Sequence, residues 1–441
     1  MNTLSQRRPA AATVFVAFLI ATTVLLLALA ACGGSSNSSS STGTNTGGTN
    51  SGGITPGSSN PGSTGSGGSG GSTGGGTGTS TKAAFVYASV YTNAGGVVGY
   101  SQNSSAMLTS VSGSPYQLQG SSAGSALAAV NGYVYAPNMP GTQSMPSNSA
   151  QLNIFKADSS TGALSQIGTA PAVNSSSGDN SMRRLQVNST KNVMYGVFQR
   201  TINSYSLSNN ASPELIQSTA PSTDSVWGFD FMPNGPYAYA AIQNGNPKQG
   251  FQIPQIHLLN MATDGSLTDN RAVVTLSTAS GIAGYLVVDP TGKYVVVTNG
   301  QQNDSLSVFA IQSDGSLNEV SGSPFSTGTQ NLGLMTFDSS GKFLYVVSNA
   351  LYEPRPENLQ VFSFNPSTGA LSQIQNMTEP NEFMESWLKV DGNYLYLTNV
   401  AGNGLSSTIT IYNRDATTGQ LSQASVTTVQ AAIGQTETLH F

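Results

Sequence analysis

Residues 82–441 are expected to form an all-β domain of seven repeated four-stranded antiparallel units, and three observations carry this. A short strand motif recurs seven times, most copies are followed by a Gly-containing hairpin signal, and no long helical periodicity interrupts them. The apolar element that opens each unit is absent before the first motif, and the copy that completes the set stands at the C-terminal end of the chain.

The recurring motif is AFVYA (84–88), GYVYA (132–136), NVMYG (192–196), PYAYA (236–240), KYVVV (293–297), KFLYV (342–346) and NYLYL (393–397). Its centre falls on Tyr87, Tyr135, Tyr195, Tyr239, Val296, Tyr345 and Tyr396, at spacings of 48, 60, 44, 57, 49 and 51 residues. Each interval is long enough for four short strands with their turns. An opening strand precedes each motif: LAAV (127–130), LQV (185–187), FDF (229–231), LVV (286–288), MTF (335–337) and LKV (388–390). A third, alternating segment follows, as in LNIF (152–155), LSVF (306–309) and ITIY (409–412). TGAL (161–164), DGSL (264–267), DGSL (314–317), TGAL (368–371) and TGQL (418–421) then mark the hairpin into the outermost strand, since Gly accepts a positive φ without a Cβ clash.

Seven repeats of about 50 residues with four antiparallel strands each read as a seven-bladed β-propeller. The first unit lacks an opening strand, and Leu439-His440-Phe441 supplies one from the other end. The expectation is a ring closed by the C-terminal strand joining the first blade, which removes free sheet edges.

Two segments precede the domain. Residues 1–32 read as a bacterial lipoprotein signal: Arg7 and Arg8 form a positive start, Ala10 to Ala31 an apolar run, and Leu29-Ala30-Ala31-Cys32 resembles a lipobox in which Cys32 becomes the lipidated N-terminus. An uncleaved anchor is the alternative, because about 20 apolar residues span a bilayer. Both readings place the domain outside the cytoplasm, in the cell envelope and facing the periplasm or cell surface. Residues 33–81 hold only Gly, Ser, Thr, Asn and Pro apart from Ile54, a composition with almost nothing to bury, and are expected to form a disordered tether. As a Gly/Ser coil it reaches roughly 40 Å.

Composition excludes several function classes. Only 8% of residues are charged, and Arg183-Arg184 is the one basic pair in the domain, so nucleic acid is not an expected partner. A single cysteine rules out a disulfide framework and CxxC metal or redox sites. Two separated histidines, His257 and His440, form no zinc motif, and neither a GxSxG nor a phosphate-binding loop occurs, so no metal and no cofactor are expected.

The segments GKYVVVTN (292–299), GKFLYVVSN (341–349) and GNYLYLTN (392–399), with their D-G-S-L and T-G-x-L turns and GSPF (322–325), resemble the lactonase-type, or YVTN-type, seven-bladed propellers, a group that includes 6-phosphogluconolactonase and a muconolactone cycloisomerase. The resemblance spans nearly all of 82–441. It implies charged residues at the channel mouth, where enzymes of the group open the innermost strand with Pro-Arg-His. Met182-Arg183-Arg184 matches at Arg183 and carries Arg184 in place of the His. The corresponding positions elsewhere are Trp227-Gly228, Gly284-Tyr285, Gly333-Leu334, Ser386-Trp387 and Glu437-Thr438.

Innermost strands start at the channel, so rare residues there are the candidate site. Arg183 and Arg184 could hold an anion or polarise a carbonyl, since guanidinium grips oxyanions in a fixed fork. Glu385, in the acidic run Glu379 to Trp387, could act as a general base if burial raised its pKa. Trp227 and Trp387 read as equivalent positions of two units, and with Tyr285 and Glu437 they are the expected ligand-binding residues. The residues favour a monomeric binding or scaffold module presenting its channel mouth to a small-molecule, carbohydrate or protein ligand. The resemblance implies the alternative, a lactone hydrolase or cycloisomerase.

Overall fold

A computed structural model of the chain describes residues 84–90, 95–119, 124–138, 150–172, 182–221, 225–243, 255–275, 284–299, 305–329, 331–348, 358–378, 383–401 and 404–441. Cys32, the tether, Glu379 and Glu382 lie outside the described residues, as does the side chain of Glu385.

The described residues contain no helix and form seven antiparallel sheets arranged as the blades of a propeller. Counting the blades by their motif tyrosines, the innermost strands are Ile433–His440 in blade 1, Ala128–Val130 in blade 2, Arg184–Asn188 in blade 3 and Ser225–Phe231 in blade 4. Leu286–Val288, Leu332–Phe337 and Phe383–Asp391 follow in blades 5, 6 and 7. Six blades have four strands, and blade 5 adds the two-residue strand Phe325–Ser326 beside Ser305–Ile311. In blade 1 the C-terminal strand pairs antiparallel with Ala84–Val90, so the ring closes as the sequence predicts.

The closing register differs from the expected one. Tyr87 pairs with Glu437, and Leu439 and His440 pair further along with Phe85 and Ala84. The apolar trio Leu439-His440-Phe441 is therefore only the far end of a strand that begins at Ile433. Matching apolar patterns slid this strand by three residues, whereas hydrogen-bond pairing with the neighbouring strand determines its true alignment.

Alternation along each strand sends one set of apolar side chains to each neighbouring blade. The outcome is seven apolar clusters, one per junction. Phe85, Tyr87, Leu127, Val134 and Phe155 fill the junction between blades 1 and 2, and Tyr345, Trp387, Leu395 and Tyr412 the one between blades 6 and 7.

The motif tyrosines do more than fill space. Each fully buried phenol donates a hydrogen bond across the junction, in most cases to the hairpin turn of the next blade. Tyr87 reaches the carbonyl of Gly162 at 2.7 Å, Tyr135 that of Asn210 at 2.8 Å, and Tyr195 that of Gly265 at 3.1 Å. Tyr239 reaches Gly315 at 2.9 Å, Tyr345 reaches Gly419 at 3.1 Å, and Tyr396 closes the circle on Oε1 of Gln102. Blade 5 has Val296 at this position and lacks the link; there the ring of Tyr294 lies against Gly369, where a Cβ would come within 2.8 Å. The turn needs glycine for a second reason besides its positive φ: a Cβ on Gly162 would stand 2.1 Å from the Phe85 ring.

Tyr239→Phe should keep the ring packed and lose only the bond, leaving the Gly315 carbonyl without its donor. The expected cost is about 1–2 kcal/mol of unfolding free energy, read by denaturant titration at constant m-value. An unchanged midpoint would show that these phenol bonds are not holding the blades together.

Candidate functional site

The pairing register places one side chain of every blade at the level of the motif tyrosine. The residue opposite the motif centre is Glu437 in blade 1, Ala128 in blade 2, Gln186 in blade 3 and Asp230 in blade 4. Val287, Thr336 and Lys389 complete the ring from blades 5, 6 and 7. All seven line a central channel with a cavity of about 390 Å³, into which Arg184, Trp387 and Gln435 also face.

Four charged groups meet there. Asp230 is held by backbone N–H groups: Val288 donates to Oδ2 at 2.9 Å and Phe231 to Oδ1 at 2.9 Å. Burial disfavours its ionised form and raises its pKa to about 6, the two N–H bonds and the charge of Arg184 opposing only in part. Arg184 is pushed the other way: burial lowers its pKa, against the favourable charges of Asp230 and Glu437. Lys389 binds Glu437 at 2.5 Å, and although burial works against its charge, that carboxylate raises its pKa.

Gln435 ties the framework together. Its amide oxygen accepts from the backbone N–H of Leu185 at 3.1 Å and of Leu127 at 3.3 Å, while its Nε2 donates to the Leu185 carbonyl at 2.8 Å and to Glu437 at 2.9 Å. One side chain thus pins the innermost strands of blades 1, 2 and 3 beside the arginine, so Arg184 emerges from a rigid edge.

The structure separates the two arginines. Arg184 faces the channel; Arg183 lies outside its lining, with its guanidinium 4.8 Å from the Trp227 ring centre and a 3.5 Å bond to the Val226 carbonyl. The two tryptophans are not equivalent. Trp227 sits in a bulge between Val226 and Gly228, and the residue matching Trp387 by register is Gly228. Gly228 and Trp387 each stand two residues before the strand centres Asp230 and Lys389, so the two tryptophans are one residue out of step. Trp387 is 8% exposed and packs in the junction between blades 6 and 7, with Tyr285 partly buried against the same cluster. Glu437, expected at the mouth, stands three residues deeper along its strand, level with Asp230 and Lys389. Glu385 lies opposite Val400 in the backbone pairing of blade 7.

Sequence reasoning missed Asp230 and Lys389. The signal was present: among the opening elements, FDF and LKV alone carry a charge at the centre. His257 is buried and its Nδ1 lies 3.2 Å from Asp269, while His440 pairs with Asp391; neither lines the channel. Among the described residues no three His, Cys, Asp or Glu side chains converge as a metal site.

Sequence and structure comparisons agree on the kind of ring this is. The family model of the lactonase, 7-bladed β-propeller, matches residues 254–390. No curated protein is detectably similar in sequence. Among solved structures, a Bacteroides uniformis protein assigned as a 6-phosphogluconolactonase is 17% identical over 81% of this chain and 100% of its own, with a TM-score of 0.61. The periplasmic gluconolactonase of Pseudomonas aeruginosa is 14% identical over 81% of this chain and 99% of its own, with a TM-score of 0.59. At these identities the likeness is one of fold.

Proposed function

We propose, from the premise that this chain is a lactonase-type seven-bladed β-propeller, that its channel binds a lactone and hydrolyses it, with Arg184 and Asp230 as the acting pair. The observation that carries the reading is that an arginine and a carboxyl with a pKa near 6 line one channel cavity. That combination is what ester hydrolysis needs: a cation for the oxygen that gains charge, and a base whose pKa lies close to the working pH. The names of the gluconolactonase and 6-phosphogluconolactonase neighbours lend support.

The step balances as follows. Water adds through its oxygen to the lactone carbonyl carbon while Asp230 takes one of its protons, and the charge collecting on the carbonyl oxygen is met by the Arg184 guanidinium. The ring C–O bond then breaks, and the departing oxygen takes the proton from Asp230. The product is the open hydroxy acid, and the carboxylate is restored. Gln435 holds the strand that bears Arg184, and Lys389 keeps Glu437 occupied.

Purified protein assayed against a panel of γ- and δ-lactones tests this. Arg184→Met should lower kcat by about 100-fold or more, with a smaller change in KM, while circular dichroism stays native. Absence of turnover by folded wild-type protein across the panel would reject hydrolysis and leave a ligand-binding channel.

A further inference from the structure

The charge inventory of the channel bears on which lactone fits. Among the described residues its lining holds two cations, Arg184 and Lys389, and two carboxylates, Asp230 and Glu437. Lys389 is already engaged: its ammonium is bound to Glu437, whose other oxygen is held by Gln435 at 2.9 Å. The Glu437 side chain is only 14% exposed, so freeing the lysine would leave a buried carboxylate unpaired, a costly exchange. Arg184 is the remaining cation, and it faces Asp230 and Glu437 together. With Lys389 matched by Glu437 and Arg184 by Asp230, the four charges sum to zero, and a phosphate dianion entering this space would find no surplus positive charge to balance its own.

We infer that the channel selects an uncharged lactone and disfavours a phosphorylated one, an inference that rests on the hydrolase reading for turnover but on charge alone for binding. The neutral ring needs only one donor, at the carbonyl oxygen, and Arg184 supplies it. Uncharged polar side chains of the lining, Gln186 and Thr336 among them, suit hydroxyl groups.

The test compares glucono-δ-lactone with its 6-phosphate as substrates of the full-length protein, alongside calorimetric titration with gluconolactam and its 6-phosphate, ring mimics that bind without reacting. The expected result is a kcat/KM and a lactam affinity each about tenfold or more in favour of the neutral compound, the factor that ~1.4 kcal/mol of unfavourable charge contact produces. Turnover of neither lactone with the neutral lactam still bound tenfold more tightly would sink hydrolysis and uphold the selectivity. Equal or tighter binding of the phosphorylated lactam, or no binding of either, would overturn it whatever the turnover. Glu437→Gln, which releases Lys389, should shift the preference toward the phosphorylated compounds by about tenfold; a folded variant with unchanged preference would show that Lys389 is not held out of reach by Glu437.

Discussion

Asp230→Asn is expected to abolish lactone turnover and, at the same time, to make the protein harder to unfold at pH 8. Both effects come from one fact, that burial holds this carboxyl well above an ordinary aspartate. As a base it must be ionised, so wild-type kcat/KM should climb as pH passes upward through about 6 and level off above it. Asparagine cannot take the proton, and a loss of about 100-fold or more is expected across the whole range.

Stability runs the opposite way. The folded pKa of about 6 lies above the value of an unfolded aspartate, so ionisation is more costly in the fold than out of it. Asp230's contribution is therefore most favourable below pH 4 and is lost as pH rises through about 6. The neutral amide does not suffer this loss. It does give up one of the two hydrogen bonds, since Val288 and Phe231 each donate to a different oxygen and an amide nitrogen cannot accept. A net gain of about 1–2 kcal/mol at pH 8, fading toward pH 4, is expected from thermal unfolding at several pH values. A variant that is less stable than wild type at pH 8, or fully active there, would remove Asp230 from the role assigned to it. Such a gain of stability on loss of function is a familiar mark of groups kept for chemistry rather than for folding.

Removal of residues 437–441 should unfold the propeller outright. The deletion strips pairing partners from Ala84 to Tyr87, takes away Leu439, which is 4% exposed, and removes Phe441, whose ring packs edge-on against Phe85 at 5.8 Å. It also deprives Lys389 and Asp391 of Glu437 and His440. Two large apolar side chains alone account for about 3–6 kcal/mol. Adding the lost backbone bonds and an unpaired cation in the channel brings the cost to the order of a typical domain's entire net stability, roughly 5–15 kcal/mol. Loss of the cooperative thermal transition, or of soluble protein, is the expected measurement. A truncated chain melting within a few degrees of the intact one would show that the ring does not depend on this closure.

The repeat made the fold legible without coordinates. A Tyr at the centre of one strand, an Asp-Gly or Thr-Gly hairpin after the third and an apolar trio before the first define a blade, because each obeys a local rule: alternation, turn conformation, strand length. Tyr239 and Gly315 show how far such local words carry, since each could be named from the sequence, but their meeting at 2.9 Å across a junction could not. The site was legible only in part for a related reason. Arg184 and Glu437 stood out as rare charges in a chain where 8% of residues are charged. Asp230 and Lys389 were hidden inside strand words that read as structural, and Trp227 was matched to Trp387 by residue type although Gly228 holds the equivalent position.

By itself, then, the sequence determined the seven repeated four-stranded blades and that the C-terminal strand closes the first of them. Only the tertiary structure decided which side chains share the channel. Membership of that ring depends on the pairing register of seven separate strands, and a register is fixed by hydrogen bonds between chain segments far apart in sequence rather than by the order of residues within any one of them.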